Sequence, residues 1–315
     1  MSFSRFLLVS DVHGNIDAVE RLVRSRQSQK DKFHALIISG DLPATVPFIL
    51  ISEYILRHRN LSRYGYSYSV YYKELRQQFV RMQLNSIRKM VPILQKLELP
   101  IFYVPGNVET RDAVLFIAKN YPEINLLDRN IVDFNSHVAF AGLGGSLEHL
   151  GRICDNEYST GDFDVRIEQL NKKIVEHEFN GRRLVTVFHE PPKFSIGTDA
   201  VIEMTKKRRN RGYSYSFKDS VGSESLARVL LEHHPLLSIN GHYHEFSGQR
   251  LVYQTPNVNP GALASYQYAI VTIKARKRNP TVSSKFFQIR PNFFSFIHFL
   301  YQSRVFHYGE LNSHQ

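Results

Sequence analysis

The chain has 315 residues, 43% of them hydrophobic, enough for one large domain or two small ones with a sizeable core, and too apolar for wholesale disorder. Its 40 basic and 29 acidic residues leave a formal charge of +11, which favours acidic partners such as phosphates or nucleic acid, although a solvated basic surface accounts for it as well. Cys154 is the single cysteine, which excludes an internal disulfide and a thiolate metal cluster. The first apolar run starts so near Met1 that no removable leader is expected, and no run approaches the ~20 residues that cross a bilayer. The expectation is a soluble cytoplasmic protein with no membrane partner.

In chain order, short apolar runs rich in β-branched or aromatic residues read as strands. They are Phe6–Val9, Ala35–Ile38, Ile101–Val104, Val138–Ala141, Leu184–Phe188, Leu236–Ile239 and Ala269–Ile273. Helical spacing fills much of the space between them. Ile16–Arg26 follows the first strand. Leu75, Phe79, Met82, Ile87, Val91 and Leu94 mark a long helix bent at Pro92. Val165, Leu170, Ile174 and Val175 mark another, and Ser223 caps a helix through Leu226, Val229 and Leu230. Strands alternating with helices indicate an α/β fold, in which ligands bind beyond the carboxyl ends of the strands.

Each strand end therefore matters. "LLVSDVHGN" supplies Asp11 and His13, "LIISGD" supplies Asp41, and "IFYVPGNVE" supplies Asn107 and Glu109. "LVTVFHEPP" supplies His189, and "LLSINGHYH" supplies His242 and His244. Taken singly these are ordinary turns or core histidines. Together, five strand ends deliver only oxygen and imidazole donors. The spacing Asp11-x-His13 and His242-x-His244 lets alternate residues of an extended segment project to one side.

The order DxH, GD, GN, H, GHxH resembles the calcineurin-like metallophosphoesterases, from about Phe6 to Lys274. "NVNPGAL" followed by "YAIVTI" is similar to that family's closing segment. The resemblance implies two packed β-sheets flanked by helices. It implies that Asp11, His13 and His244 hold one metal ion, that Asn107, His189 and His242 hold a second, and that Asp41 bridges them. Such a donor set suits Mn, Fe or Zn, divalent or trivalent, and is too nitrogen-rich for Ca or Mg. Two cations ~3.5–4 Å apart neutralise a phosphate ester and lower the pKa of a bound water towards ~7, so a metal-bound hydroxide becomes the expected nucleophile.

One position departs from the family, which reads GNH followed by an acidic residue where this chain reads Gly106-Asn107-Val108-Glu109. Valine gives no proton to a leaving oxygen, and general acid catalysis contributes about 10²–10⁴-fold. The expectation is a phosphodiesterase acting on a phosphorylated small molecule or nucleotide, with nucleic acid a further candidate partner. The alternatives are a phosphomonoesterase on a nucleotide or phosphoprotein, or a metal-binding scaffold. His149 is a candidate replacement acid. Asn15 either contacts phosphate or caps a helix. Glu109 either orients a ligand loop or forms a surface salt bridge. "RYGYSYS" and "NRGYSYS" place Tyr66, Tyr68, Tyr213 and Tyr215 as candidate base-stacking residues. The expected organisation is one domain over 1–275, with a helical insertion at about 43–98 forming a cap or side wall, and a basic, aromatic tail over 276–315.

Overall fold

A computed structural model of the chain describes residues 3–45, 68–148, 154–196, 222–274 and 280–290, with backbone alone for 68–75. The first sheet has the order β14-β13-β1-β2-β3-β4. Its strands are β1 (Phe3–Val9), β2 (Ala35–Ser39), β3 (Ile101–Val104), β4 (Ile124–Leu126), β13 (Gln267–Lys274) and β14 (Thr281–Gln288). β1 to β4 run parallel, and β13 returns antiparallel to β1. The second sheet has the order β11-β12-β10-β9-β6-β5. It comprises β5 (Asn130–Asp133), β6 (Val138–Leu143), β9 (Arg183–Phe188), β10 (Leu237–Ile239), β11 (Gly248–Val252) and β12 (Thr255–Asn259). β6, β9, β10 and β12 are parallel. A two-stranded pair, β7 (Ser146–Leu147) and β8 (Glu157–Tyr158), stands beside them.

Alternation along the strands builds three apolar layers. Phe6, Leu8, Ile37, Phe102, Val104, Phe140, Val185, Val187 and Ile239 face one another between the sheets. Phe6, Phe102, Phe134 and Phe140 form a cluster of edge-on and tilted rings there, with ring centroids 4.5–5.8 Å apart. The opposite pleat of the first sheet, with Leu7, Val9, Leu36, Ile38 and Tyr103, is covered by α1 (Ile16–Gln27), α2 (Tyr68–Gln95) and α3 (Arg111–Asn120). The outer face of the second sheet packs on α4 (Thr160–Glu176) and α5 (Glu224–His233). The result is two packed sheets of six strands flanked by helices, in agreement with the resemblance.

Several local readings change. α4 exists, but it buries Phe163, Ile167, Leu170 and Ile174, while Val165 and Val175 face outward. Only Leu170 and Ile174 of the marker residues lie on the buried stripe, because the helix is set by the 3.6-residue period rather than by β-branched content. Ser223 does cap α5, accepting from Leu226 N. Thr281–Gln288 pairs along the whole of β13, so these residues of the segment read as tail belong to the first sheet. There Phe287 stacks on Tyr268 with centroids 5.1 Å apart, and the Arg26 guanidinium lies over both rings. α2 lies within the inserted segment and runs through Pro92. No helix among the described residues is long and apolar enough to cross a membrane.

Candidate metal centre

The parallel strands β1, β2, β3, β9 and β10 all stop at one end of the sandwich, and the five loops that follow carry the candidate ligands. The side chains do not converge by alternation in extended backbone. Asp11, His13, Asp41 and His242 each adopt positive φ, at 51°, 46°, 52° and 70°. This left-handed geometry costs of order 1–3 kcal/mol per non-glycine residue. It turns the chain sharply as each strand ends, so that Asp11 and His13 point into the cleft while Val12 between them enters the core. The expectation of an extended segment is thus corrected.

The loops touch closely. A Cβ added to Gly106 would stand 1.9 Å from Asp41 Oδ1, and one on Gly40, at φ 105°, would stand 2.1 Å from His189 Nδ1. Both glycines are needed for backbone to approach a ligand-bearing side chain. Asp11 accepts from His242 N at 3.0 Å, joining the first strand of one sheet to β10 of the other.

Asp11, His13, Asp41 and His244 each offer one donor atom within 4.8 Å of the others. His13 Nε2 and His244 Nε2 are 3.0 Å apart, and His244 Nε2 is 3.2 Å from Asp11 Oδ1. Burial, then the neighbouring His244, pushes the His13 imidazole down to about 3, so at neutral pH it is an uncharged ligand nitrogen. Burial works against the ionised form of Asp11, yet His244, with His189 and His13, holds its pKa below the usual carboxylate range. Asp41 moves the other way. Burial first, then the charges of Glu109 and Asp11, hold its carboxyl well above the usual range. Two imidazole nitrogens and two buried carboxyls drawn together are a donor set that suits a cation.

A second cluster adjoins it. His189 is fully buried, and its Nδ1 lies 2.9 Å from the carbonyl of Ser39, which can only accept. Nδ1 therefore carries the proton, and Nε2 turns its lone pair towards Asn107 Oδ1 at 3.0 Å and Asp41 Oδ1 at 3.6 Å. The His242 ring lies 5.0 Å from that of His189. Asp41 touches both clusters, since its Oδ2 is 3.6 Å from His13 Nε2. The structure thus gathers Asp11, His13, Asp41, Asn107, His189, His242 and His244 in one cleft.

Supporting residues are partly those anticipated. Asn15 caps α1, accepting from Ala18 N, and its Nδ2 donates to the Ala264 carbonyl at 2.9 Å. Glu109 is fully buried and makes no surface salt bridge. It accepts from Leu42 N (3.0 Å), Tyr103 OH (2.7 Å) and Gly106 N (2.8 Å), and so ties the Asp41 loop to the Asn107 loop. Val108 donates its backbone N–H to Asp41 Oδ1 at 3.1 Å. His149, Tyr66, Tyr213, Tyr215 and the side chain of Tyr68 lie outside the described residues.

Sequence reasoning missed Gln83, Ser86, Glu157 and Glu190. Gln83 donates to the Val108 carbonyl (2.7 Å) and accepts from Thr110 N and Oγ1 (both 2.8 Å), and Ser86 accepts from Ala44 N. α2 is therefore a side wall that grips two ligand loops. Glu190, beside His189, is fully buried, and burial pushes its carboxyl up to about 8; its Oε2 lies 3.8 Å from His242 Nε2.

Residues 1–281 match the family described as metallophosphoesterase, calcineurin superfamily. The chain belongs to this family. No sequence of a curated protein matches the chain. One solved structure superposes with a TM-score of 0.64 at 19% identity, covering 92% of this chain and 100% of its own. TT1561 of Thermus thermophilus superposes at 0.52 with 16% identity, covering 90% and 99%. The calcineurin-like phosphoesterase YfkN of Bacillus subtilis gives 0.48 at 14% identity, covering 96% and 97%. At these identities the first two likenesses bear on the fold alone. Membership of the calcineurin superfamily, with the cluster of Asp11, His13, Asp41 and His244, supports a metal-dependent phosphoesterase, a hydrolase.

Proposed function

We propose that this metallophosphoesterase hydrolyses phosphodiesters at a two-metal centre, with a nucleotide-derived small molecule as substrate. Asp11, His13 and His244 would hold one ion, and Asn107, His189 and His242 the other. The observation that carries the reading is Asp41, whose Oδ2 faces His13 and whose Oδ1 faces His189, each at 3.6 Å. A carboxylate with one oxygen towards each ligand set has the form of a bridge. When bound, the two cations would neutralise the ester and clamp attacking and leaving oxygens in line. Mn, Fe or Zn suits the mixed donors best.

The chain's own groups define the rest. His189, with its proton committed to Ser39, keeps an acceptor nitrogen facing the centre. The Val108 N–H holds the bridging carboxylate, while its side chain offers no proton where the family carries imidazole. Diesters with good leaving groups tolerate that loss better than alkyl monoesters do. The charge of +11 favours an anionic substrate.

Metal-stripped protein, reloaded with Mn, Fe, Zn or Mg, should hydrolyse bis(nitrophenyl) phosphate faster than nitrophenyl phosphate, with Mn most effective. Introducing Val108→His should accelerate alkyl esters by at least about tenfold and nitrophenyl esters far less. Monoester preference, or equal gains on both leaving groups, would overturn the diester reading. Two metals bound without turnover would point to a scaffold.

A further inference from the structure

An amide can face a metal with its oxygen or, turned over, with its nitrogen, and only the oxygen is a ligand. The side chain of Asn107 must therefore be held one way round. The short segment Cys154–Tyr158 meets it on the flank away from His189. Asn107 Nδ2 donates to Glu157 Oε1 at 3.1 Å, while Glu157 Oε2 accepts from Cys154 N at 3.0 Å, so both carboxylate oxygens are engaged. An ionised carboxylate can only accept, and so it selects the nitrogen end of the amide. The oxygen end is then turned towards His189 Nε2, 3.0 Å away.

The carboxylate is itself braced. Asn156 Nδ2 donates to the carbonyls of Gly106 (3.3 Å) and Glu109 (3.0 Å), on either side of Asn107, and Tyr158 OH donates to Asn156 Oδ1 at 3.1 Å. Arg76 of α2 donates to Asp155 at 2.9 Å, and Asp155 also accepts from Arg111 N. Three consecutive residues, each held from a different side, fix the segment against the Asn107 loop.

We infer that Glu157 is a positioning residue: it orients the Asn107 amide so that its carbonyl oxygen faces the second metal position. The inference rests on the two-metal reading above. Glu157 would act through Asn107 alone, so the two metal positions would respond unequally to its loss.

The test uses the full chain, stripped of metal and titrated with Mn(II), following stoichiometry and the two affinities by calorimetry and electron paramagnetic resonance, with melting temperature alongside. Wild type should bind two ions. Glu157→Met should weaken one of them by about 10–100-fold and leave the other unchanged. Glu157→Gln should stay close to wild type, because its amide oxygen still accepts from Asn107 even though its nitrogen end no longer serves Cys154. Glu157→Asp, a smaller change that serves if the methionine variant does not fold, should weaken the same ion to a lesser extent. Unchanged affinities with a lowered melting temperature, or an equal loss at both ions, would overturn the inference and make Glu157 a loop staple. A wild type that binds fewer than two ions would overturn the two-metal reading itself, and the inference with it.

Discussion

At the scale of single residues, the cleft is built from groups placed where they are individually costly. Four ligand candidates sit at positive φ, and Asp11, Asp41, Glu109 and Glu190 are carboxyls removed from water. Glu190 gives this cost a measurable form. Its folded pKa of about 8 lies above the ordinary 4.5, so the folded chain holds more protons than the unfolded one between those values. Its favourable contribution is complete below 4.5 and is lost as pH rises through 8. The melting temperature of metal-stripped protein should therefore fall between about pH 5 and pH 8. Glu190→Gln should flatten that slope, and an unchanged slope would show that the carboxyl is not held protonated by burial. Glu190 was not legible in "FHEPP", since a glutamate after a strand is most often solvated. Asp11, His13 and the GHxH pair were legible because carboxylate and imidazole recur there beside glycine.

At the scale of elements, the inserted helix α2 serves both core and site. Ile87, Met90, Val91 and Leu94 enter the core, and Gln83 and Ser86, within about one turn before Ile87, hold the loops of Asn107 and Asp41. Gln83→Leu would strip the partners from Thr110 N and the Val108 carbonyl, at about 1–3 kcal/mol for each buried group left unpaired. A free energy of unfolding lowered by a few kcal/mol, read as a lower denaturation midpoint at constant slope, is expected, together with reduced turnover. A change under about 0.5 kcal/mol would show that the helix does not support the loops. The seven strands read from the sequence match β1, β2, β3, β6, β9, β10 and β13 to within two or three residues, because most of them are buried parallel strands, which are near-continuous apolar runs; β4, β5, β11, β12 and the short pair β7 and β8 were not read. β14 was not, since its residues alternate between exposed and half-buried positions and its partner is already a strand of the domain.

At the scale of the whole molecule, the centre lies across the two sheets. Asp11, His13, Asp41 and Asn107 follow strands of the first, while His189, His242 and His244 follow strands of the second. A cation held by both binds the folded state and not the unfolded chain. At about a hundred times its dissociation constant it should add about 2.7 kcal/mol of stability. Mn(II) should raise the melting temperature of stripped protein by a few degrees, and Asp41→Asn should abolish most of the rise; coincident melts with and without metal would refute a resident cation. The ends of seven strands, the donor types and the α/β class were legible in the residues alone, because these depend on local periodicity and on residue chemistry within a few positions. Which way each donor faces, and that Gln83, Glu157 and Glu109 hold the donor-bearing loops there, follows from the packing of the two sheets. Those contacts join loops many residues apart, and hydrogen bonds at that range exist only once the sheets have packed.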